Sequence, residues 1–125
     1  MHNKPNGTGL ARLFKATKCS MDVIRLAWQH ESAFRQELTL AAVMCPLAFL
    51  LSTSVEQLVL LLMPVFLLVI VELLNSAIEA TVDRISTSLH PLSKQAKDIG
   101  SAAVFFVLLL LTLTWGLILL NNFVL

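Results

Sequence analysis

The C-terminal part of the chain, residues 99–125, contains no Asp, Glu, Lys or Arg. An α-helix rises about 1.5 Å per residue, so this segment is long enough to cross the roughly 30 Å hydrocarbon core of a bilayer. A water-soluble protein of 125 residues has too little interior for such a chain, because 57% of the residues are hydrophobic and only 14% are charged. The sequence therefore predicts an all-α membrane protein.

Two further apolar segments predict two more transmembrane helices. The three spans are expected at about 32–52, 56–82 and 97–122, within a membrane domain covering 30–125. Pro46 should kink the first span without ending it, because neighbouring helices can satisfy the freed carbonyl.

The break between the second and third spans is expected at His90-Pro91. Proline disfavours the helical conformation in the residue before it, so a helix that includes His90 should not continue into Pro91. The connection 83–98 is therefore expected to hold the turn between these two spans.

The N-terminal part is different in character. Residues 1–9 are polar and contain Gly and Pro, so a flexible start is expected. Residues 10–29 carry apolar side chains at helical spacing from Leu10 to Trp28, with the basic residues mostly on other faces. This pattern predicts an amphipathic helix lying on an anionic cytoplasmic membrane surface, with packing against the protein's own helices as the alternative.

The basic residues near the spans predict the orientation. Five of the nine Lys and Arg residues lie in the first 30 positions. The connection 83–98 holds three more, whereas the turn 52–57 has none. We therefore expect a cytoplasmic N-terminus and a C-terminus on the far side of the membrane.

The second span ends in a polar stripe. At 100° per residue, Glu72, Asn75, Glu79 and Asp83 fall on one helix face. An ionised group at a bilayer centre costs about 2.5–3.5 kcal/mol, so a helix that only spans the membrane would carry leucine here. Interhelical hydrogen bonds from Asn75 and Ser76 are the structural alternative, but they do not account for three acids. The stripe predicts a catalytic or ion site.

Several carboxylates on one face require cations. Arg35, Lys94 and Lys97 are candidates, and so is Mg²⁺, which is usually held by one or two carboxylates together with water and substrate phosphates. The sequence has no GxxxxGK[ST] and no DFG, so the phosphate-binding loops of soluble kinases and ATPases are not expected. No nucleic-acid partner is expected either.

Three segments carry a recognisable pattern: ESAFRQE at 31–37, VELLNSAIEATVDRIS at 71–86 and AKDIGSAAV at 96–104. They closely resemble the bacterial integral-membrane diacylglycerol kinases, a family with an undecaprenol kinase branch. The resemblance implies a homotrimer of three-span subunits in the bacterial inner membrane, with the C-terminus periplasmic and composite active sites at the cytoplasmic boundary. It also implies transfer of the γ-phosphoryl group of Mg-ATP to the primary hydroxyl of diacylglycerol.

The resemblance also assigns roles to residues. Glu72 matches the general base that takes the proton from the lipid hydroxyl, and Glu31 and Glu79 match the carboxylates that hold the metal. The implied nucleotide positions are Cys19, Glu31, Asn75, Glu79, Asp83, Ser88, Leu89, His90, Lys97 and Asp98. The implied lipid-site positions are Arg12, Arg35, Gln36, Glu37, Glu72 and Ser101. Close relatives carry an aromatic residue against the adenine where this chain has Cys19, so stacking from that position is lost.

Other functions stay open at this point. The nearest is the same reaction with undecaprenol as acceptor, although VDRIS at 82–86 and KDIGSAAV at 97–104 favour the diacylglycerol branch. An ion-conducting bundle would use the acid stripe as a cation path, and an assembly subunit would have no catalytic activity.

Overall fold

The computed structural model describes residues 8–85 and 88–125, and within these ranges the chain is helical and contains no β-strand. Of the expected flexible start at 1–9, residues 1–7 lie outside the described residues. The four helices are α1 (Gly9–His30), α2 (Ser32–Leu51), α3 (Val55–Ile85) and α4 (Pro91–Phe123). Within the described part of the chain, α2, α3 and α4 are long and apolar enough to cross a membrane. An all-helical chain with three candidate spans is thus confirmed.

The described part of the chain divides into two compact units, with the boundary between residues 35 and 36. The first contains α1 and the first turn of α2. The second contains the remainder of α2 together with α3 and α4.

In the first unit, α1 ends at an extended residue. Glu31 has φ −124° and ψ 108°, and its backbone N–H still donates to the carbonyl of Ala27 at 2.9 Å. The guanidinium of Arg35 donates to the carbonyl oxygens of Trp28 at 2.8 Å and Gln29 at 3.3 Å. Carbonyls in the last turn of a helix have no intrahelical partner. The Arg35 guanidinium therefore provides hydrogen-bond donors for two carbonyls at the C-terminal end of α1.

The core of the second unit is built from small side chains on α2 and larger ones on α3 and α4. The spacing of three or four residues on α3 and four on α4 places each set on one helix face. The buried core residues of this unit are Ala41, Ala48, Leu61, Val65, Leu68, Val107, Leu111 and Trp115.

Two prolines lie inside these helices, and neither ends its helix: α2 continues through Pro46 and α3 through Pro64. Near Pro64, the indole Nε1–H of the buried Trp115 donates to the carbonyl of Leu61 at 3.0 Å. A buried indole N–H needs an acceptor, so this bond pairs the polar atom of Trp115 while its ring fills the core between α3 and α4.

The start of α4 follows the expected break. His90 is the N-cap in an extended conformation, its Nδ1 accepts the N–H of Leu92 at 3.1 Å, and Pro91 is the first helical residue. Both α3 and α4 extend beyond the apolar segments expected at 56–82 and 97–122. The charged residues next to these segments therefore lie on regular helix.

The other end of α3 and α4 is joined by neutral amides. Gln57 Nε2 donates to Asn122 Oδ1 at 2.9 Å, and Asn122 Nδ2 donates to Gln57 Oε1 at 2.9 Å. Asn122 Nδ2 also donates to the carbonyl of Leu51 at 3.2 Å, and the N–H of Thr53 donates to Gln57 Oε1 at 3.0 Å. These four bonds link the α2–α3 turn to the end of α4, and we call this group the amide clasp.

Candidate active site

The polar stripe on α3 changes from buried to exposed along the helix. Glu72 is 5% exposed and Asn75 is 8% exposed, whereas Glu79 is partly buried and Asp83 is exposed. At 1.5 Å per residue the stripe extends over about 16 Å. It therefore offers buried groups at one end and groups accessible to water-soluble ligands at the other.

At the buried end, two glutamates meet. The side chain of Glu37, in the second turn of α2, forms a hydrogen bond with the side chain of Glu72. An ionised carboxylate only accepts hydrogen bonds, so one of the two groups must carry a proton in this arrangement. The pair can thus hold one proton and leave the other carboxylate free to accept one.

Two buried side-chain oxygens in this region have no hydrogen-bond partner in the described structure: Glu37 Oε2 and Asn75 Oδ1. Buried polar atoms in folded proteins are nearly always paired, so an unpaired one calls for an explanation such as a catalytic role. Both atoms belong to residues at the buried end of the stripe or in contact with it.

At the exposed end, α3 and α4 are linked by an ion pair. Lys97 Nζ lies 2.7 Å from Asp83 Oδ1, and the charge of Glu79 also acts on Lys97. One turn earlier on α4, Lys94 Nζ lies 2.6 Å from Asp98 Oδ2. Both pairs are substantially exposed, so water screens them and each contributes little to stability. A phosphate group could therefore replace either carboxylate at low cost.

A cavity of about 680 Å³ opens where α3 ends and α4 begins. Ligand sites generally measure roughly 300–1,000 Å³, so this one can accept a nucleotide-sized molecule. Its described lining residues are Val82, Asp83, Ser88, Leu89, His90, Pro91, Ser93, Lys94, Lys97 and Asp98. The structure thus brings together six of the positions expected to bind nucleotide.

The remaining expected site residues are distributed as follows. Arg12 and Cys19 are exposed on α1, and Glu31 and Arg35 lie where α1 ends; these four belong to the first unit. In the second unit, Gln36 on α2 and Ser101 on α4 are exposed.

Lys94 lines the cavity although the sequence indicated it only as a general cation. The start of α4 at Pro91 explains its place, because residues three, four and seven positions apart share a helix face. His90, Lys94 and Lys97 follow this spacing. The start of α4 at Pro91 therefore predicts that Lys94 lines the cavity, which its residue type alone does not.

No group of three or more His, Cys, Asp or Glu side chains that could hold a metal occurs within residues 8–85 and 88–125. Mg²⁺ does not require one, since it is commonly bound through one or two carboxylates and the phosphates of its substrate. Glu79, partly exposed between Glu72 and Asp83, offers hard oxygen ligands of the right type. The side chains present therefore fit an ion that arrives with a phosphate ligand.

These features define a multi-pass membrane protein with a polar site at one end of two packed helices. The family model described as prokaryotic diacylglycerol kinase matches residues 18–119. The chain is 52% identical over 114 residues to the diacylglycerol kinase of Pseudomonas aeruginosa, covering 91% of this chain and 93% of the relative. It is 45% identical to that of Haemophilus influenzae, covering 87% and 92%, and 44% identical to that of Escherichia coli K12, covering 94% and 97%. The chain belongs to the prokaryotic diacylglycerol kinase family.

Proposed function

We propose that this protein is a lipid kinase that transfers the γ-phosphoryl group of ATP to the primary hydroxyl of diacylglycerol, giving phosphatidic acid and ADP. The observation that carries the proposal is an arrangement along α3, where the buried Glu72 is hydrogen-bonded to Glu37 of α2. Further along the same helix, Asp83 pairs with Lys97 of α4, and both residues line a nucleotide-sized cavity. The diacylglycerol kinase of Pseudomonas aeruginosa aligns with more than 90% of this chain and of its own length. The membrane location follows from the substrates, since one is a lipid and the other is water-soluble.

Phosphoryl transfer asks a protein mainly for positioning, charge neutralisation and a group that orients or deprotonates the nucleophile. In our proposal the unprotonated Glu72 takes the proton of the lipid hydroxyl while the hydroxyl oxygen bonds to the γ-phosphorus and the bond to the ADP oxygen breaks. Glu37, hydrogen-bonded to Glu72, holds that carboxylate in place. Lys97 exchanges Asp83 for phosphate oxygens, which costs little because the ion pair is exposed.

Mg²⁺, when bound, would supply positive charge to the phosphate oxygens. In this proposal Glu79 offers it a carboxylate from the stripe. The role of Glu31 as its second carboxylate is carried by the resemblance to the family alone. Both assignments are tested by the magnesium dependence of the corresponding variants, described in the Discussion.

The test of the function is lipid-dependent ATP consumption by the purified protein in detergent micelles. Diacylglycerol and undecaprenol are assayed side by side at equal mole fraction, with Glu72→Gln as the inactive control. We expect ATP consumption with diacylglycerol and little with undecaprenol. Higher turnover with undecaprenol would assign the protein to the other branch. Metal or proton flux in liposomes without ATP consumption would replace the kinase by an ion-conducting function.

We further propose that α1 lies on the cytoplasmic surface of the bacterial inner membrane. An exposed apolar surface of this extent marks a site of contact with a membrane or another protein. The exposed large apolar side chains on α1 include Leu10, Leu13, Phe14, Met21, Ile24 and Trp28. The basic residues Arg12, Lys15 and Lys18 each contribute about 1 kcal/mol near an anionic leaflet. Spin labels along 10–28 should then show depth in the bilayer that alternates with a period near 3.6 residues, whereas uniform water exposure would contradict this placement.

The assembly proposed from the resemblance is a homotrimer with cytoplasmic N-termini and periplasmic C-termini. Chemical cross-linking of the detergent-solubilised protein should stop at the trimer. A reporter fused to the C-terminus should be active in the periplasm and inactive in the cytoplasm.

A further inference from the structure

The buried glycine of α4, Gly100, faces the amide of Asn75 on α3. An ideal Cβ built on Gly100 would overlap the Oδ1 of Asn75, and it would lie 3.3 Å from its Cγ and 3.7 Å from Ile78 Cδ1. No side chain larger than hydrogen fits here unless the amide moves. Asn75 has little room to move, since it is only 8% exposed.

The position of this glycine is costly for the helix. Glycine is a poorer helix former than alanine, so its presence inside α4 needs a compensating contact. Around Gly116, the other glycine inside α4, no atom of the described chain beyond the adjacent residues and the local helix backbone lies within 4 Å of the ideal Cβ position. The two glycines therefore lie in opposite environments, and only Gly100 marks a close approach of α3 and α4.

The contact lies between the two halves of the proposed site. Asn75 is one turn from Glu72 and from Glu79, and Gly100 is one turn from Lys97 on α4. The Oδ1 of Asn75, which has no hydrogen-bond partner in the described structure, is the atom that meets Gly100. Carbon-bound hydrogens at helix–helix interfaces form weak contacts with oxygen, which allows a glycine to receive this atom.

We propose that Gly100 is a positioning residue for the nucleotide site. Its missing side chain admits the Asn75 amide, and this contact sets the register of Lys97 on α4 against the acids on α3. The inference rests on the proposed kinase function. A methyl group at position 100 pushes the amide aside or separates the helices, so it displaces the groups that face Mg-ATP and leaves the lipid side unchanged.

The test compares Gly100→Ala with the matched control Gly116→Ala in the full-length protein. KM and kcat are measured separately for Mg-ATP and for diacylglycerol, together with the unfolding temperature in detergent. We expect Gly116→Ala to stay within twofold of the parent protein in every parameter. Gly100→Ala should raise KM for Mg-ATP at least tenfold while KM for the lipid changes less than twofold.

A second pair of variants tests whether the effect passes through Asn75. In an Asn75→Ala background the amide atoms that the methyl would overlap are absent, and Ile78 Cδ1 lies at an ordinary contact distance of 3.7 Å. Adding Gly100→Ala to this background should therefore change the unfolding temperature and the KM for Mg-ATP by no more than Gly116→Ala does. Equal effects of Gly100→Ala in both backgrounds, or an effect no larger than that of Gly116→Ala, would overturn the proposal. Absence of ATP consumption by the parent protein would instead contradict the proposed function. The unfolding temperatures would still show whether the Gly100–Asn75 contact exists.

Discussion

The two ends of the α3–α4 pair are built from different chemistry. At one end, the amide clasp of Gln57, Asn122 and the α2–α3 turn is neutral, and its amides pair with each other and with the backbone. At the other end lie carboxylates, lysines, two unpaired buried oxygens and a cavity. Polar groups in a membrane are costly unless paired, so the paired end can be explained by stability alone.

The unpaired end cannot be explained in the same way. A helix bundle that needed only a polar link between α3 and α4 could repeat the amide pair at both ends. Instead, Glu72 is buried beside the carboxyl group of Glu37, and Asn75 is buried beside Gly100. We expect these groups to meet a proton, a phosphate or a cation, and each prediction below tests this contrast between the two ends.

The largest expected effect is that of Glu72→Gln on turnover. The amide keeps the volume and its oxygen can still accept a hydrogen bond from Glu37, but it cannot take a proton, so kcat should fall about 10²- to 10⁴-fold. The matched control is Glu56→Gln, which makes the same change at the exposed start of the same helix and should leave kcat within twofold. Turnover is measured at saturating diacylglycerol and Mg-ATP, with unfolding temperature as the check on folding. Substantial turnover in Glu72→Gln would remove it from the role of base.

The next effect concerns magnesium. Glu79→Gln and Glu31→Gln each remove one anionic oxygen ligand, so the Mg²⁺ concentration needed for half-maximal activity should rise roughly tenfold, and excess Mg²⁺ should restore part of the rate. Glu72→Gln should not respond to excess Mg²⁺. Titrations of activity against Mg²⁺ at fixed ATP provide the measurement. If all three variants responded alike, the division between base and metal ligands would be wrong.

The sequence predicted the helices and the stripe because both follow from local patterns. Long apolar runs indicate spans, and the spacing of Glu72, Asn75, Glu79 and Asp83 fixes a shared face whatever the helix packs against. The roles of these residues came from the resemblance to a family and stay predictions.

The sequence did not predict the contacts between helices. Glu37 and Glu72 meet although they lie on different helices, and Asn122 meets Gln57 across 65 residues of sequence. Gly100 has no pattern that separates it from Gly116. These features depend on the register between helices, which residue type and spacing along one helix do not determine.

A smaller effect, on stability rather than turnover, is expected from the amide clasp. Asn122→Leu leaves the partly buried amide of Gln57 without its partner and should lower the free energy of unfolding by about 1–2 kcal/mol. At low temperature KM for Mg-ATP should be unchanged. Asn121→Leu is the control, because Asn121 is exposed and its side-chain bond in the described structure, to Asn122 Oδ1, is long at 3.3 Å. The double variant Gln57→Leu/Asn122→Leu should lose less than the sum of the single losses, and strict additivity would contradict a direct pair.

The smallest effect is expected for Lys94→Gln. Lys94 pairs with Asp98 one turn away on its own helix, and both side chains are largely exposed, at 79% and 62%. Water screens such an exposed pair, so it contributes little and the unfolding temperature should hardly change. In the described part of the chain Lys94 pairs within its own helix, whereas Lys97 bridges to Asp83 on α3. We therefore propose Lys97 for the phosphate contact and expect KM for Mg-ATP to rise less than twofold in Lys94→Gln. Lys97→Gln is the comparison, with a larger rise in the same assay. A tenfold rise in KM for Lys94→Gln would show that Lys94 contacts the phosphates. It would also show that an ion pair between helices does not identify the lysine that binds the nucleotide.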